Sequence, residues 1–112
     1  MALEDFFPEI VRDLPEADVP LAGVRAYLFQ GEAKQLLFMA FAEEVDVPEH
    51  DHAAQWGVVL LGEIELTIGD DTNTYRPGDT YFIPAGVPHR AHIRAGSCLQ
   101  DMFDQPDRYQ AK

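Results

Sequence analysis

From residue 24 onward, apolar and polar residues alternate in short runs, and glycines and prolines separate one run from the next. The clearest case is 63–68. Ile64, Leu66 and Ile68 fall on one face and Glu63, Glu65 and Thr67 on the other, the period-two signature of a half-buried strand. The same reading predicts strands over 24–30, 35–47, 55–61, 80–83, 90–94 and 97–103. Gly31-Glu32, Pro77-Gly78, Pro84-Ala85-Gly86 and Ala95-Gly96 are the breaks, and "GDDTN" (69–73) reads as a hairpin turn. Upstream the period changes: Leu3, Phe6, Phe7, Ile10, Val11 and Leu14 recur at helical spacing. Pro8 forbids a long helix there. Residues 1–22 are therefore expected to form an arm, with one or two short turns over 3–14 whose apolar side docks, running into an extended connector (14–23) with Pro15, Pro20 and Gly23. Strand after strand with no helix between them predicts an all-β antiparallel sandwich or barrel.

Composition narrows the partners. At 112 residues the chain can bury a core of its own and is too short for two domains. Twenty acidic residues against eight basic give a net charge of −12, with eleven to three in 1–50 and nine to five in 51–112. Such a surface repels phosphate backbones and anionic lipid, so neither nucleic acid nor a membrane is an expected partner. The longest fully aliphatic run, Val58 to Leu61, is too short to span a bilayer, and Met1 to Asp5 carries no basic residue, so a signal peptide is not expected. The single cysteine, Cys98, cannot form an internal disulfide and reads as a buried thiol in a strand, which fits a cytoplasmic protein.

All four histidines lie beyond residue 49. In "PEHDH" (48–52), His50 and His52 sit two apart, so in a strand both imidazoles point to one side and can share one ligand. Alone the pair is a weak metal signal, equally a solvated turn. Further on, "GDTYFIPAGVPH" (78–89) spaces Gly78, Pro84, Gly86 and His89 as Gly-x5-Pro-x-Gly-x2-His. The glycines allow tight turns at positive φ and Pro84 ends a strand at an edge. A hairpin with a surface histidine is the plainer reading of the same residues.

Together the two stretches resemble the paired motifs of the cupin superfamily. The second is matched in full by 78–89; the core of the first is matched by His50, His52, Gln55 and Gly62. The resemblance covers roughly 35–103. It implies a jelly-roll double-stranded β-barrel formed by a single domain, 1–112. It also implies one divalent transition metal (Zn, Fe, Ni, Mn or Cu) held inside by His50, His52, Gln55 and His89. Three places depart from the pattern. Glu44 stands where a glycine usually opens the first motif, Ile93 stands where an asparagine often follows the second, and the gap from His52 to Gln55 is two residues rather than three or four. Gln55 follows the Ala53-Ala54 turn, at the start of a strand expected to form a hairpin with the one bearing the His pair. The crossing resets the face parity, so the short gap need not expel Gln55. A glutamine ligand is neutral and would leave the full charge on the cation; the alternative is a hydrogen bond to a water on the metal.

Strand parity sorts the remaining candidates. If His89 points inward, so do Ala91 and Ile93, and His92 points outward with Arg90 and Arg94. Asp51 faces away from its flanking histidines. Met39, Phe41, Trp56, Tyr81 and Phe82 could line a pocket, or be plain core or dimer interface. Arg25, Arg76 and Arg90 are the arginines that could meet a substrate carboxylate. The resemblance implies a metal-dependent enzyme of dioxygenase, isomerase or lyase type acting on a small polar metabolite such as a sugar acid. The small cupin that converts unsaturated uronates in pectin and alginate breakdown is similar in size and in its His, His, Gln, His set. The alternative is a non-catalytic barrel that binds a sugar or another small molecule. Residues 36–42 and 58–61 are apolar on both faces, and with Phe6, Phe7 and Ile10 of the arm they lead us to expect a homodimer.

Overall fold

The computed structural model describes residues 2–112, with Glu4 by its backbone alone. Its strands are β1 (Val24–Gln30), β2 (Gln35–Phe41), β3 (Val45–His50), β4 (Gln55–Leu61), β5 (Ile64–Ile68), β6 (Asp71–Tyr75), β7 (Thr80–Ile83), β8 (His89–Ile93) and β9 (Ser97–Phe103). They form two antiparallel sheets, a five-stranded one ordered β1-β2-β9-β4-β7 and a four-stranded one ordered β3-β8-β5-β6. The all-β antiparallel architecture expected from the pattern, and the jelly roll implied by the resemblance, are observed. Between the sheets lies the main apolar core, with Leu37, Phe41, Val59, Ile83 and Leu99 almost fully buried.

Three boundaries differ from the sequence reading, each for a physical reason. The apolar stretch 35–47 is two strands, because the chain turns the corner between sheets at 42–44. Alternation alone cannot see a change of sheet. "GDDTN" is only partly a turn: Gly69 and Asp70 make it, and Asp71–Tyr75 pairs along β5 as an edge strand. Its exposed polar residues carry no inward signal until Tyr75. Lastly, β3 and β4 are not a hairpin, since β3 pairs with β8 while β4 pairs with β7 and β9. Residues 51–54 carry the chain from one sheet to the other.

The arm folds as expected into short turns, a 3-10 turn at Leu3–Asp5 and α1 (Glu9–Arg12). It covers the outer face of the five-stranded sheet, where Phe7 packs edge-on to Tyr27 and Phe38 at ring distances of 6.2 and 5.8 Å. Burying a phenyl ring this way contributes roughly 2–3 kcal/mol. Leu3, Phe6, Val11 and Leu14 join that contact, but Ile10 is 80% exposed and takes no part. The arm therefore accounts for much of the two-sided apolar character of β2 and β4. Cys98 lies beneath it, fully buried, and burial pushes its thiol up to about 11. The connector caps the free edge of β1 through Ala17 N–H to the Ala26 carbonyl and Leu28 N–H to the Pro15 carbonyl.

Candidate metal centre and its cavity

His50 and His89 are register partners, one closing β3 and the other opening β8. His52 follows two residues later in the crossing segment, tied to the second-motif turn by Gly86 N–H donating to its carbonyl at 2.9 Å. That turn needs Gly86 at a φ of +75°, and Gly78, at +93°, makes the separate turn before β7; both lie in the left-handed region that glycine enters freely. The three rings converge, with centroids 4.2 Å (His50–His89), 4.7 Å (His52–His89) and 5.1 Å (His50–His52) apart.

The hydrogen bonds fix which nitrogen faces inward. Nδ1 of His50, His52 and His89 lies 2.8, 2.7 and 3.0 Å from the carbonyls of Pro48, Ala53 and Val87. A carbonyl only accepts, so each Nδ1 carries the proton and each Nε2 presents a lone pair. The Nε2 atoms of His52 and His89 stand 3.1 Å apart. Two lone pairs at that distance repel unless something positive lies between them. Two imidazole nitrogens bound about 2.1 Å from one ion at a right angle would be roughly 3 Å apart. The one ligand atom that each histidine offers lies within 4.8 Å of those of the other two. The residues present thus fit a divalent cation.

Electrostatics favours the neutral rings a cation requires. Burial lowers His52 to about 4, with the positive charges of Arg108, His89 and His50 adding to it against the Ala53 hydrogen bond. Burial also lowers His89, and His50 and Arg108 contribute.

Gln55 enters from the other sheet, at the first residue of β4, and lines the same cavity. Its Nε2 donates at 3.0 Å to Oδ1 of Asp101, which also accepts from the Tyr81 hydroxyl at 2.6 Å. An ionised carboxylate can only accept, so it turns the amide nitrogen of Gln55 toward itself and leaves Oε1, the atom a cation would use, without a protein donor among the described residues. Asp101 is wholly buried, and burial raises its carboxyl to about 6 against the two hydrogen bonds. Tyr81 is pushed well above its usual range by burial, then by the charge and hydrogen bond of Asp101, so it stays a donor. Gly57, the register partner of both, makes room: a Cβ there would collide with the Asp101 carboxylate and the Tyr81 ring.

The cavity holds about 80 Å³, with Met39, Phe41, Leu66 and Leu99 at its apolar end and the imidazoles, Gln55, Asp101 and Arg108 among its polar lining. A groove of about 220 Å³ continues outward past His50, Arg108 and Tyr109. Arg108 belongs to the irregular segment after β9, which Gln35 clamps: its Nε2 donates to the Tyr109 carbonyl at 2.7 Å and its Oε1 accepts from Tyr109 N–H at 3.0 Å. The guanidinium lies 4.8 Å from the Tyr109 ring centroid, and its buried Nε has no hydrogen-bond partner.

The parity assignments fare unevenly. Met39, Phe41, Tyr81, Ala91 and Ile93 line the cavity; Trp56 and Phe82 point the other way and are exposed. His92 is outside, between Asp46 (2.7 Å) and Glu44 (3.1 Å), and Asp51 is exposed. The arginines named from sequence are elsewhere: Arg25 pairs with Glu16 at 3.4 Å, Arg76 with Glu63 at 3.2 Å, and Arg90 is exposed on β8. Arg108 and Asp101 were not among the candidates. Asp101 had a readable signal, a carboxylate between Leu99 and Phe103 at the inward parity of β9. Arg108 had none, because it follows the last strand in a stretch without period.

The sequence profile of the cupin domain family matches residues 37–97. The chain belongs to the cupin family. Solved cupin structures superpose closely. An RmlC-like cupin from Shewanella frigidimarina gives a TM-score of 0.73 at 22% identity over 86% of this chain and 87% of that one. KdgF from a Halomonas species gives 0.71 at 21% identity over 82% and 86%. Oxalate decarboxylase of Bacillus subtilis, a protein with Mn(II) centres, gives 0.71 at 19% identity, with 87% of this cupin covering 29% of that chain. Among curated proteins no sequence matches this cupin.

Proposed function

We propose that this cupin is a metal-dependent enzyme acting on a small carboxylate-bearing metabolite, a sugar acid, with His50, His52, His89 and Gln55 as metal ligands. One observation carries the reading. Around a single cavity three imidazole Nε2 lone pairs meet a fully buried carboxylate, Asp101, and a guanidinium with an unpartnered buried Nε, Arg108. A divalent ion in that nest of neutral ligands would supply Lewis acidity toward a carbonyl or enol oxygen. Asp101, held near 6 by burial, is suited to give and take a proton close to neutral pH. Arg108 at the mouth is suited to anchor an anionic end, its planar donors matching a carboxylate.

Size supports a division of the ligand. The inner cavity alone falls below the usual 300–1,000 Å³ of ligand sites. The reacting end would enter it and the remainder lie in the outer groove beside Arg108 and Tyr109. The resemblance to the small uronate-converting cupin favours a sugar acid over other carboxylates.

The test uses metal-loaded protein against a panel of saturated and unsaturated sugar acids, alongside Asp101→Asn and Arg108→Met. The expected result is turnover in the wild type, with kcat lost in Asp101→Asn and KM raised in Arg108→Met. Tight binding without turnover in all three proteins would favour the non-catalytic barrel. No binding of any acid would sink both readings.

A further inference from the structure

On the outer face of the five-stranded sheet, register places Phe29, Leu36, Met102, Trp56 and Phe82 in one row, a residue from every strand. Phe29, Phe82, Trp56 and Met102 are 57%, 58%, 41% and 37% exposed. Taken with a full side-chain area of about 200 Å² for rings of this kind, these four offer solvent about 400 Å² of apolar surface. That is the size at which a surface patch on a soluble chain is usually functional. The row is also uncharged, as is the next one, with Phe38, Gln100, Val58 and Thr80. A quarter of the chain is charged, so ten neighbouring outward positions across the sheet, counting Tyr27 with that second row, without one charge form a distinct zone. The arm covers the opposite end of this face, reaching Tyr27 and Phe38 of the second row and leaving the first row open.

We propose that this row is the surface on which two copies of the chain pair. A second copy is favoured over other occupants for two reasons. At a net charge of −12 two copies repel everywhere except through an uncharged face. The row is also self-complementary. Its middle member, Met102, lies on the central strand β9. At one end Phe29 projects from β1; at the other, a groove of about 270 Å³ opens beside Trp56, Phe82 and Met102, rimmed by the Lys34–Asp104 ion pair. The ends are about 19 Å apart across four strand spacings. A two-fold axis at Met102 lays the Phe29 end of each copy over the groove end of the other, making two identical contacts. With the flanking residues, the pair buries on the order of 1,000–1,200 Å² in total, the lower end for a specific association. The dimer is therefore concentration-dependent in the micromolar range, and stronger in salt, which screens the repulsion.

Light scattering and sedimentation on the full chain across micromolar concentrations test this. The wild type is expected to approach twice its 12.6 kDa, with added salt favouring the dimer. Phe29→Glu with Phe82→Glu is expected to weaken association by roughly tenfold or more, its melting temperature matching that of the wild-type monomer because both side chains are largely exposed. Phe29→Leu with Phe82→Leu is expected to retain association. A wild type monomeric throughout the range overturns the proposal, and so does a dimer whose mass the Glu double variant leaves unchanged. If the double variant unfolds, single Glu variants at each position are expected to show the weakening separately; two folded singles with wild-type association overturn it equally.

Discussion

Near one end of β4 and β9 the five-stranded sheet has its polarity reversed. Facing the barrel interior are Gln55, Gly57 and Asp101; facing solvent from the intervening positions are Trp56 and Met102, with Phe82 beside them. Further along the same strands the usual order returns, with Val59 and Leu99 inside and Cys98 and Leu60 under the arm. The hydrophobic effect alone favours the second arrangement, since burying Asp101 costs free energy that no apolar neighbour restores. The strands accept the cost only where the imidazoles converge. Local departure from the folding pattern is thus the mark of the site inside and of the exposed row outside.

Removing a ligand breaks the inner region most completely. His89→Ala is expected to lower divalent-metal content from about one per chain to near zero, because it deletes the imidazole that joins β8 to the His50–His52 side. Metal analysis after gentle purification reads this directly, with Zn, Mn, Fe(II) and Ni offered. A His89→Ala protein with undiminished metal content would exclude the triad as the centre.

Adding one methyl group attacks the same wall from its backbone. In Gly57→Ala the new Cβ meets both Asp101 and Tyr81, so the hydrogen-bonded group must shift. Overpacking of this kind costs about 1–3 kcal/mol. Thermal melts are expected to show it in metal-free protein, and Gly57→Ala should also weaken metal binding through Gln55. Unchanged stability would mean that the wall is looser than its contacts imply.

Sequence reached the strands because period-two patterning is a local property, and it reached the jelly-roll class and the four cavity residues His50, His52, Gln55 and His89 through the resemblance to cupins, which rests on two short motifs. It missed β6, whose polar edge has no buried face to reveal it, and it left Trp56 and Phe82 open between pocket, core and dimer interface, because their parity follows from register with β7 and β9. The hairpin assigned to β3 and β4 failed because a change of sheet leaves no trace in alternation. Arg108 was illegible for a related reason: the Gln35 clamp that holds its segment joins residues 74 positions apart.

The Asp101 carboxylate and the His52 ring respond to pH in opposite senses. Asp101 has a folded value near 6 against an ordinary 3.8, so the folded state holds the extra proton between those values. Its contribution is best at low pH and is lost as pH rises through about 6. His52 falls from 6.5 to about 4, so the unfolded state holds the extra proton, and stability is lost as pH falls through that window. In metal-free wild type these two contributions therefore oppose each other between about pH 4 and 6. Asp101→Asn is expected to melt higher than wild type near pH 7.5, by up to about 3 kcal/mol from the two-unit shift, and to lose that lead toward pH 4. A lead that persists into acid would mean that burial of Asp101 is not the cause.

Subtler is Gln55→Glu. A carboxylate there would neutralise one charge of a bound divalent ion and, without metal, would face Asp101 as a like charge in place of a donor. The variant is expected to keep metal but bind a small anion such as oxalate more weakly, and its metal-free form should be less stable at neutral pH than in mild acid. Equal oxalate affinity in the two proteins would remove Gln55 from the coordination sphere.

The smallest effect is expected on the outside of the four-stranded sheet. His92 lies partly exposed on the outer face, and its Asp46 hydrogen bond raises its pKa, with the charges of Asp46 and Glu44 adding to it. A raised histidine contributes fully below its ordinary value and loses that contribution as pH rises through the folded one. His92→Ala should therefore differ from wild type only in acid, and slightly, since exposed pairs are screened by water. Metal content should be unchanged at every pH at which wild type is loaded. The comparison with His89 is sharp because the two lie three residues apart on one strand, on opposite faces. If His92→Ala loses metal while the Gln55 variants keep it, the outer face of β8 holds a ligand, and inward and outward have been assigned the wrong way round.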